Sequence, residues 1–213
     1  MKSKVSVSIL TLFKDGVKNV DDNIKKIERH ADFIHFDIMD GKFVPSVTIG
    51  PKETAMIKTH LPKDVHLMCN EPIMLIDDYE KAGASMITIH VEACSDVKKT
   101  IEYIKKKGIK PTISLKPKTP VSEIIPYLGM VNMVLVMTVE PGWPRQSFMV
   151  DMMEKVKEIR KLKPHLDIQV DGGINDKTVK IAKRAGANVF VSGSYIFDSK
   201  DPVHAIKLLK EAK

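Results

Sequence analysis

Short strand-like runs recur along the chain, several of them alternating apolar and polar residues with period two. They are VSVSIL (5–10), FIHFDIM (33–39), DVHLM (64–68), MITIHVE (86–92), PTISLK (111–116), MVLVMTVE (133–140), DIQVDGG (167–173) and NVFVSGS (188–194). Between them, apolar residues recur every three or four positions, which predicts helices. NVDDNIKKIERHA (19–31) offers Asn19 as a cap and acids in its first turn. EPIMLIDDYEKAGA (71–84) places Pro72 at a first helical position. SFMVDMMEKVKEIRKLK (147–163) and DPVHAIKLLKEA (201–212) carry the same helical spacing. EKAGASMITIH and KRAGANVFVSG resemble each other, each leaving a helix through a small-residue turn and entering a strand. Strand followed by helix, repeated about eight times over roughly 200 residues, predicts an α/β fold: a (β/α)8 TIM barrel with a parallel eight-stranded sheet. No linker or composition break divides the chain, so residues 1–213 are expected to form one catalytic domain.

In such a barrel, polar residues near the C-terminal ends of the strands gather at one mouth, where active sites of this fold lie. Ser8, His35 with Asp37, His66, His90, Lys116 and Asp171 occupy such ends. His35 and Asp37 are spaced i, i+2, so they share a face opposite Ile34, Phe36 and Ile38. Any one of these groups alone reads better as a hydrogen-bonded core histidine or a strand-end turn residue. Four together at strand tips read differently. His35, Asp37, His66 and Asp171 match the ligand set of one divalent transition metal such as zinc, iron, cobalt or manganese. Two carboxylates in a partly desolvated barrel also need a compensating cation.

Composition narrows the picture further. Hydrophobic content of 43% and charged content of 29% suit a globular protein. The apolar runs are too short to cross a bilayer, and the first residues pass straight into a strand pattern rather than a leader. A cytoplasmic protein without membrane contact is the expectation. Cys69 and Cys94 form no CxxC motif, which argues against a disulfide framework or a thiolate zinc site. The net charge of +7 is carried mostly by lysines on predicted helices such as VKKTIEYIKKK, and arginine occurs only at 29, 145, 160 and 184. That pattern reads as a solvated surface, and no nucleic-acid partner is expected.

SIL, HFDIMDGKFVPSVTIG, DVHLM, VMTVEPG, QSFM, VDGGIN and VSGSYIF, in this order, make nearly the whole chain resemble the ribulose-phosphate 3-epimerase family. The resemblance implies a (β/α)8 barrel that inverts one carbinol carbon of a phosphorylated ketose. It puts the metal ligands on His35, Asp37, His66 and Asp171, and the two acid/base carboxylates on Asp37 and Asp171. A Lewis-acid metal would stabilise the cis-enediolate formed on proton loss, and no organic cofactor is needed. The small-molecule partner is then a phosphorylated ketose, foremost D-ribulose 5-phosphate interconverting with D-xylulose 5-phosphate. Met39, Met68 and Met137 match family positions that line the site, although methionine also serves as a core gap-filler. Ser8 matches a substrate-contacting position, and His66 is expected to face the substrate as well. His90 is read as supporting or structural. By analogy with relatives, a homo-oligomer, dimer or hexamer, is expected.

Barrels of this type hold phosphate with backbone N–H groups from the loops after strands seven and eight, which points to Gly172, Gly173, Gly193 and Ser194. The family's third phosphate element, normally PGxGGQ, here reads PGWPRQ. Gly142 remains, while Pro144 offers no N–H and Arg145 resists glycine's positive φ, so a changed loop conformation is expected. Arg145 could supply a charge-assisted fork to phosphate or point away, and Trp143 could cover the substrate or simply pack. Ser46 replaces the usual asparagine. These departures leave open a hexulose-phosphate substrate of the allulose 6-phosphate type. A sugar-phosphate-binding barrel without catalysis, or a lyase on the same scaffold, are the rival classes.

Overall fold

The structure, a computed structural model, describes residues 1–15 and 17–212. Its strands are β1 (Lys4–Ser8), β2 (Phe33–Met39), β3 (Lys63–Met68), β4 (Ala84–His90), β5 (Lys110–Leu115), β6 (Met133–Met137), β7 (Asp167–Asp171) and β8 (Val189–Ser192). Each pairs in parallel with its sequence neighbours, and β8 returns to β1, so the sheet closes into the expected barrel. The helices are α1 (Val17–Ile27), α2 (Pro51–Met56), α3 (Ile76–Lys81), α4 (Val97–Lys106), α5 (Met153–Leu162), α6 (Thr178–Ala185), α7 (Ser194–Phe197) and α8 (Pro202–Glu211).

Several boundaries differ from the periodicity. β6 stops at Met137 rather than running to 140, because Thr138 turns its N–H to the Asp171 carbonyl and its hydroxyl to the Asp171 and Gly172 carbonyls. The helix expected over 19–31 begins at Val17 and ends at Ile27. Asn19 therefore lies inside it, and its amide donates to the Leu12 carbonyl at 3.2 Å instead of capping. Pro72 opens a 3-10 turn (Pro72–Leu75) that runs into α3. Between β5 and β6 stand two 3-10 turns, Val121–Glu123 and Ile125–Tyr127, in place of an α-helix. Pro120 precedes the first and Pro126 lies within the second, and a proline inside a helix removes a donor and clashes with the preceding turn. α4 and α8 start on side-chain caps: Asp96 accepts from the Lys99 N–H and Asp201 from the His204 N–H, both at 2.9 Å.

The two faces of the barrel wall carry different chemistry. Outward strand residues such as Val7, Phe36, Leu67 and Val170 pack against inward helix residues such as Ile24, Ile104, Ile159 and Leu209, and all are fully buried. This annular layer is the hydrophobic core, and its burial supplies the main drive to fold. Inside the barrel, Met86, Met133 and Val189 plug one level. Next to them runs a polar band: Ser6, His35, Asp64, His66, Thr88, Thr112, Ser114 and Gln169 are all at 0% exposure. Polar groups buried this deeply require partners or a functional reason.

Candidate active site

β2 supplies His35 and Asp37, β3 supplies His66, and β7 supplies Asp171. Asp37 and His66 are direct neighbours in the β2–β3 register. β7 is separated from β2 by β8 and β1, so Asp171 approaches from across the mouth. His35 Nε2 lies 3.5 Å from Asp37 Oδ1 and 3.7 Å from Asp171 Oδ2. His66 Nδ1 lies 3.8 Å and 3.7 Å from the same two oxygens. All four candidate ligand atoms fall within 4.8 Å of one another.

Among the described residues, His35 Nε2 and His66 Nδ1 are both buried and have no hydrogen-bond partner. Two ring nitrogens and two carboxylate oxygens converging in this way form a donor set that suits a divalent cation. The residues therefore fit the metal that the sequence implies.

The two carboxylates sit in opposite electrostatic states. Burial, then the neighbouring charge of Asp37, lift the Asp171 carboxyl to about 7. Burial acts on Asp37 in the same direction, but the charge of His35 beside it, with His66 close by, outweighs it and holds its carboxyl far below the usual range. Burial drives His66 down to about 4. Burial also opposes the charged form of His35, yet Asp64 and Asp37 beside it raise it well above an ordinary histidine. Ser8 donates its hydroxyl to Asp37 Oδ2 at 2.7 Å, which leaves Oδ1 turned into the cage.

Over the cage opens a pocket of about 880 Å³. Its walls include Ser8, Asp37, Met39, Met68, Met137, Gly142, Trp143, Arg145, Asp171, Gly172, Gly173, Gly193 and Ser194. The structure thus brings these residues to one mouth, with His35 and His66 as its fully buried floor, while His90 and Lys116 do not line the pocket. Met39, Met68 and Met137 are 5%, 1% and 2% exposed, so their thioethers keep the ground around the cage apolar. Gly172 and Gly173 have φ of +121° and +67°. A Cβ at Gly172 would stand 2.5 Å from Val139 Cγ2, and one at Gly173 would stand 2.6 Å from the Phe148 nitrogen. Only glycine makes that turn, and it leaves bare backbone facing the pocket.

The PGWPRQ loop corrects one expectation. Arg145 keeps a left-handed backbone, with φ of +62°, so arginine here holds the conformation expected to be abandoned. Several contacts stabilise it. Gln146 donates to the Glu140 and Trp143 carbonyls at 2.6 and 2.8 Å, and Ser46 donates to the Gly142 carbonyl at 2.6 Å. The Arg145 guanidinium reaches Asp198, just past α7, at 2.9 Å. Trp143 is 58% exposed at the rim.

Two site residues escaped the sequence reading. Asp64 is fully buried beneath the cage and bonded to His35 Nδ1 at 2.8 Å. It stands two residues before His66, so the spacing that linked His35 to Asp37 would have found it. Asp198 carries no such signal, because it follows a short helix and meets Arg145 only in the folded chain.

Residues 4–197 match the model of the Ribulose-phosphate 3 epimerase family. The cytoplasmic isoform of ribulose-phosphate 3-epimerase from Oryza sativa subsp. japonica is 45% identical over 85% of this chain and 82% of its own length. Ribulose-phosphate 3-epimerase from Bacillus subtilis (strain 168) is 40% identical over 99% of each chain. Among solved structures, KGPDC from Streptococcus mutans superposes with a TM-score of 0.76 at 14% identity, covering 100% of this chain and 97% of that one. The 3-hexulose-6-phosphate synthase from Salmonella typhimurium gives 0.75 at 17%, covering 100% and 98%. At those identities the structures share the barrel alone. The sequence match, by contrast, runs unbroken from the first strand through the short helix that follows the last, and it places this chain in the ribulose-phosphate 3-epimerase family.

Proposed function

We propose that this epimerase inverts C3 of D-ribulose 5-phosphate to give D-xylulose 5-phosphate, with Asp37 and Asp171 as the two proton-transferring groups. The observation that carries this reading is the pair of carboxylates, Asp37 and Asp171, meeting in one cage around the His35 and His66 ring nitrogens, all four donor atoms within 4.8 Å of one another. They come from strands on different sides of the mouth and can address opposite faces of a planar intermediate. An ionised carboxylate takes the C3 proton, and a protonated one returns a proton to the other face. A positioned acid or base contributes about 10²–10⁴-fold to rate, and the roles exchange in the reverse direction.

His35, Asp37, His66 and Asp171 would hold one divalent ion, zinc, iron, cobalt or manganese. When bound, it supplies a Lewis acid that stabilises negative charge developing beside the substrate carbonyl. Ser8 fixes Asp37 through its Oδ2 and keeps the other oxygen aimed inward. Met39, Met68 and Met137 exclude water from the reacting carbon. Backbone N–H groups of Gly172, Gly173, Gly193 and Ser194 receive the phosphate at the far end of the pocket, with Gly142 and Trp143 as the opposing wall. Arg145 adds a charge-assisted contact, because a phosphate dianion competes well with the single exposed carboxylate of Asp198.

Residues 1–213 act as one catalytic domain in this reading. Among the described residues no helix is long and apolar enough to cross a membrane. Likeness to a relative named as a cytoplasmic isoform supports a cytoplasmic location. A dimer or hexamer is proposed from the family resemblance, and sedimentation tests it. Turnover in D2O with a divalent ion supplied tests the chemistry. Product xylulose 5-phosphate should carry solvent deuterium at C3. No turnover of the pentulose phosphate defeats the substrate assignment, and turnover without deuterium uptake defeats the proton-transfer mechanism.

A further inference from the structure

The two cage histidines are turned in opposite senses. His35 offers Nε2 to the carboxylates and Nδ1 to Asp64, whereas His66 offers Nδ1 and keeps Nε2 behind it. What lies behind each ring differs. Asp64 Oδ2 accepts from the Ser6 hydroxyl at 2.8 Å and the Gln169 amide at 2.7 Å, and it stands 2.8 Å from His35 Nδ1. That oxygen is an acceptor only, so Nδ1 of His35 carries hydrogen and Nε2 presents its lone pair when the ring is a ligand.

Behind His66 the partner is another imidazole. His66 Nε2 and His90 Nε2 are 2.9 Å apart, and one hydrogen must lie between them. Glu92 settles which ring owns it. Glu92 Oε1 already accepts from the Lys116 N–H and from the Thr119 hydroxyl. Its Oε2 faces His90 Nδ1 at 3.3 Å, so that nitrogen carries hydrogen and His90 Nε2 is the acceptor. His66 then bears its hydrogen on Nε2, and its Nδ1 lone pair points into the cage. His90 lies between His66, ring centroids 5.0 Å apart, and Phe43, at 4.9 Å, which holds this relay in register.

We infer that Asp64 and the His90–Glu92 pair are positioning residues that fix the cage histidines in opposite tautomers, Nδ1–H for His35 and Nε2–H for His66, so that both lone pairs meet at one cation. The inference rests on the metal reading above. Partners of this kind around a ligating histidine typically change metal affinity about 10–100-fold when altered.

Zinc ion alone is the probe. In the zinc-loaded parent chain, 15N–1H correlation of the imidazoles should show one ligand protonated at Nδ1 and the other at Nε2, with His90 protonated at Nδ1. Competition against a fluorescent chelator then gives zinc affinity for the parent, Asp64→Asn and Glu92→Gln. Asp64→Asn keeps one acceptor oxygen, removes the charge and turns the other oxygen into an amide donor, and both variants should bind at least about tenfold more weakly. The same tautomer at both ligands, or affinities within twofold of the parent in both variants, overturns the inference. Weakening in Asp64→Asn alone overturns its His90–Glu92 half. The spectrum of the parent decides the tautomers even if a variant does not fold. A parent that takes up no zinc or other divalent ion defeats the metal reading itself, whereas normal uptake with unaltered variants defeats only this step.

Discussion

Replacing Arg145 separates what the loop does for stability from what it does for substrate. Its guanidinium pairs with Asp198 at 2.9 Å, but the two side chains are 58% and 52% exposed. An ion pair that open contributes about 0–1 kcal/mol. Its left-handed backbone costs about 1–2 kcal/mol for a residue with a Cβ. Arg145→Ala loses the pair and keeps the backbone cost, so it should be slightly less stable than the parent. Arg145→Gly loses the pair and sheds the cost, so it should equal or exceed the parent. With about 2–4 °C of Tm per kcal/mol in a chain of this size, the two variants should differ by a few degrees. Binding should respond quite differently. A hydrogen bond to a charged group contributes about 1.5–3 kcal/mol, so losing a guanidinium–phosphate contact should raise KM about 10- to 100-fold in both variants. kcat should change little, since phosphate is held equally in ground and transition states. Steady-state kinetics on D-ribulose 5-phosphate at low and high salt, beside thermal melts, gives all four numbers. KM within twofold of the parent in both variants would refute the phosphate contact and leave Arg145 as a loop clasp.

Asp37→Asn and Asp171→Asn should each lower kcat by at least about 10³-fold while the melting curve stays cooperative; substantial residual turnover in either would remove the two-base scheme. Chelation should abolish activity and lower Tm, and a divalent ion should restore both; activity surviving exhaustive chelation contradicts the metal's role. The third test concerns acid stability. Burial opposes ionisation of Glu92, but hydrogen bonds from His90 and Thr119 outweigh it and bring its carboxyl down to about 2. A depressed value stabilises the folded chain above the ordinary glutamate range, and that contribution fades as pH falls from about 4.5 toward 2. The stability difference between the parent and Glu92→Gln should therefore shrink across that window in urea melts, and a difference independent of pH would count against the linkage.

Much of the site was legible because strand periodicity is rigid. Once His35 and Asp37 alternate with buried apolar residues, their shared inward face follows, and the same holds for His66 and Asp171. Asp64, Ser6 and Gln169 obey the same alternation, each two residues below a mouth residue, yet a polar residue deep in a barrel gives no chemical hint of what it touches. Loop features were less accessible. Intrinsic backbone cost predicts that Arg145 avoids the left-handed region, while Ser46, Gln146 and Asp198 supply the contacts that offset that cost, and those partners lie up to 99 positions away in the chain. Periodicity predicts no helix between β5 and β6, and Pro120 and Pro126 explain the 3-10 turns there. Strand ends were overextended where side chains such as Thr138 redirect the backbone, an effect that hydrophobic pattern does not record.

The cage draws three of its donors from neighbouring strands two and three and the fourth from strand seven, which the closing of first strand on last brings across to them. Ion uptake during refolding therefore clocks the moment the circle is completed. Dichroism from the outer helices should recover earlier, so a species with full helicity and no bound ion would mark an open, C-shaped intermediate.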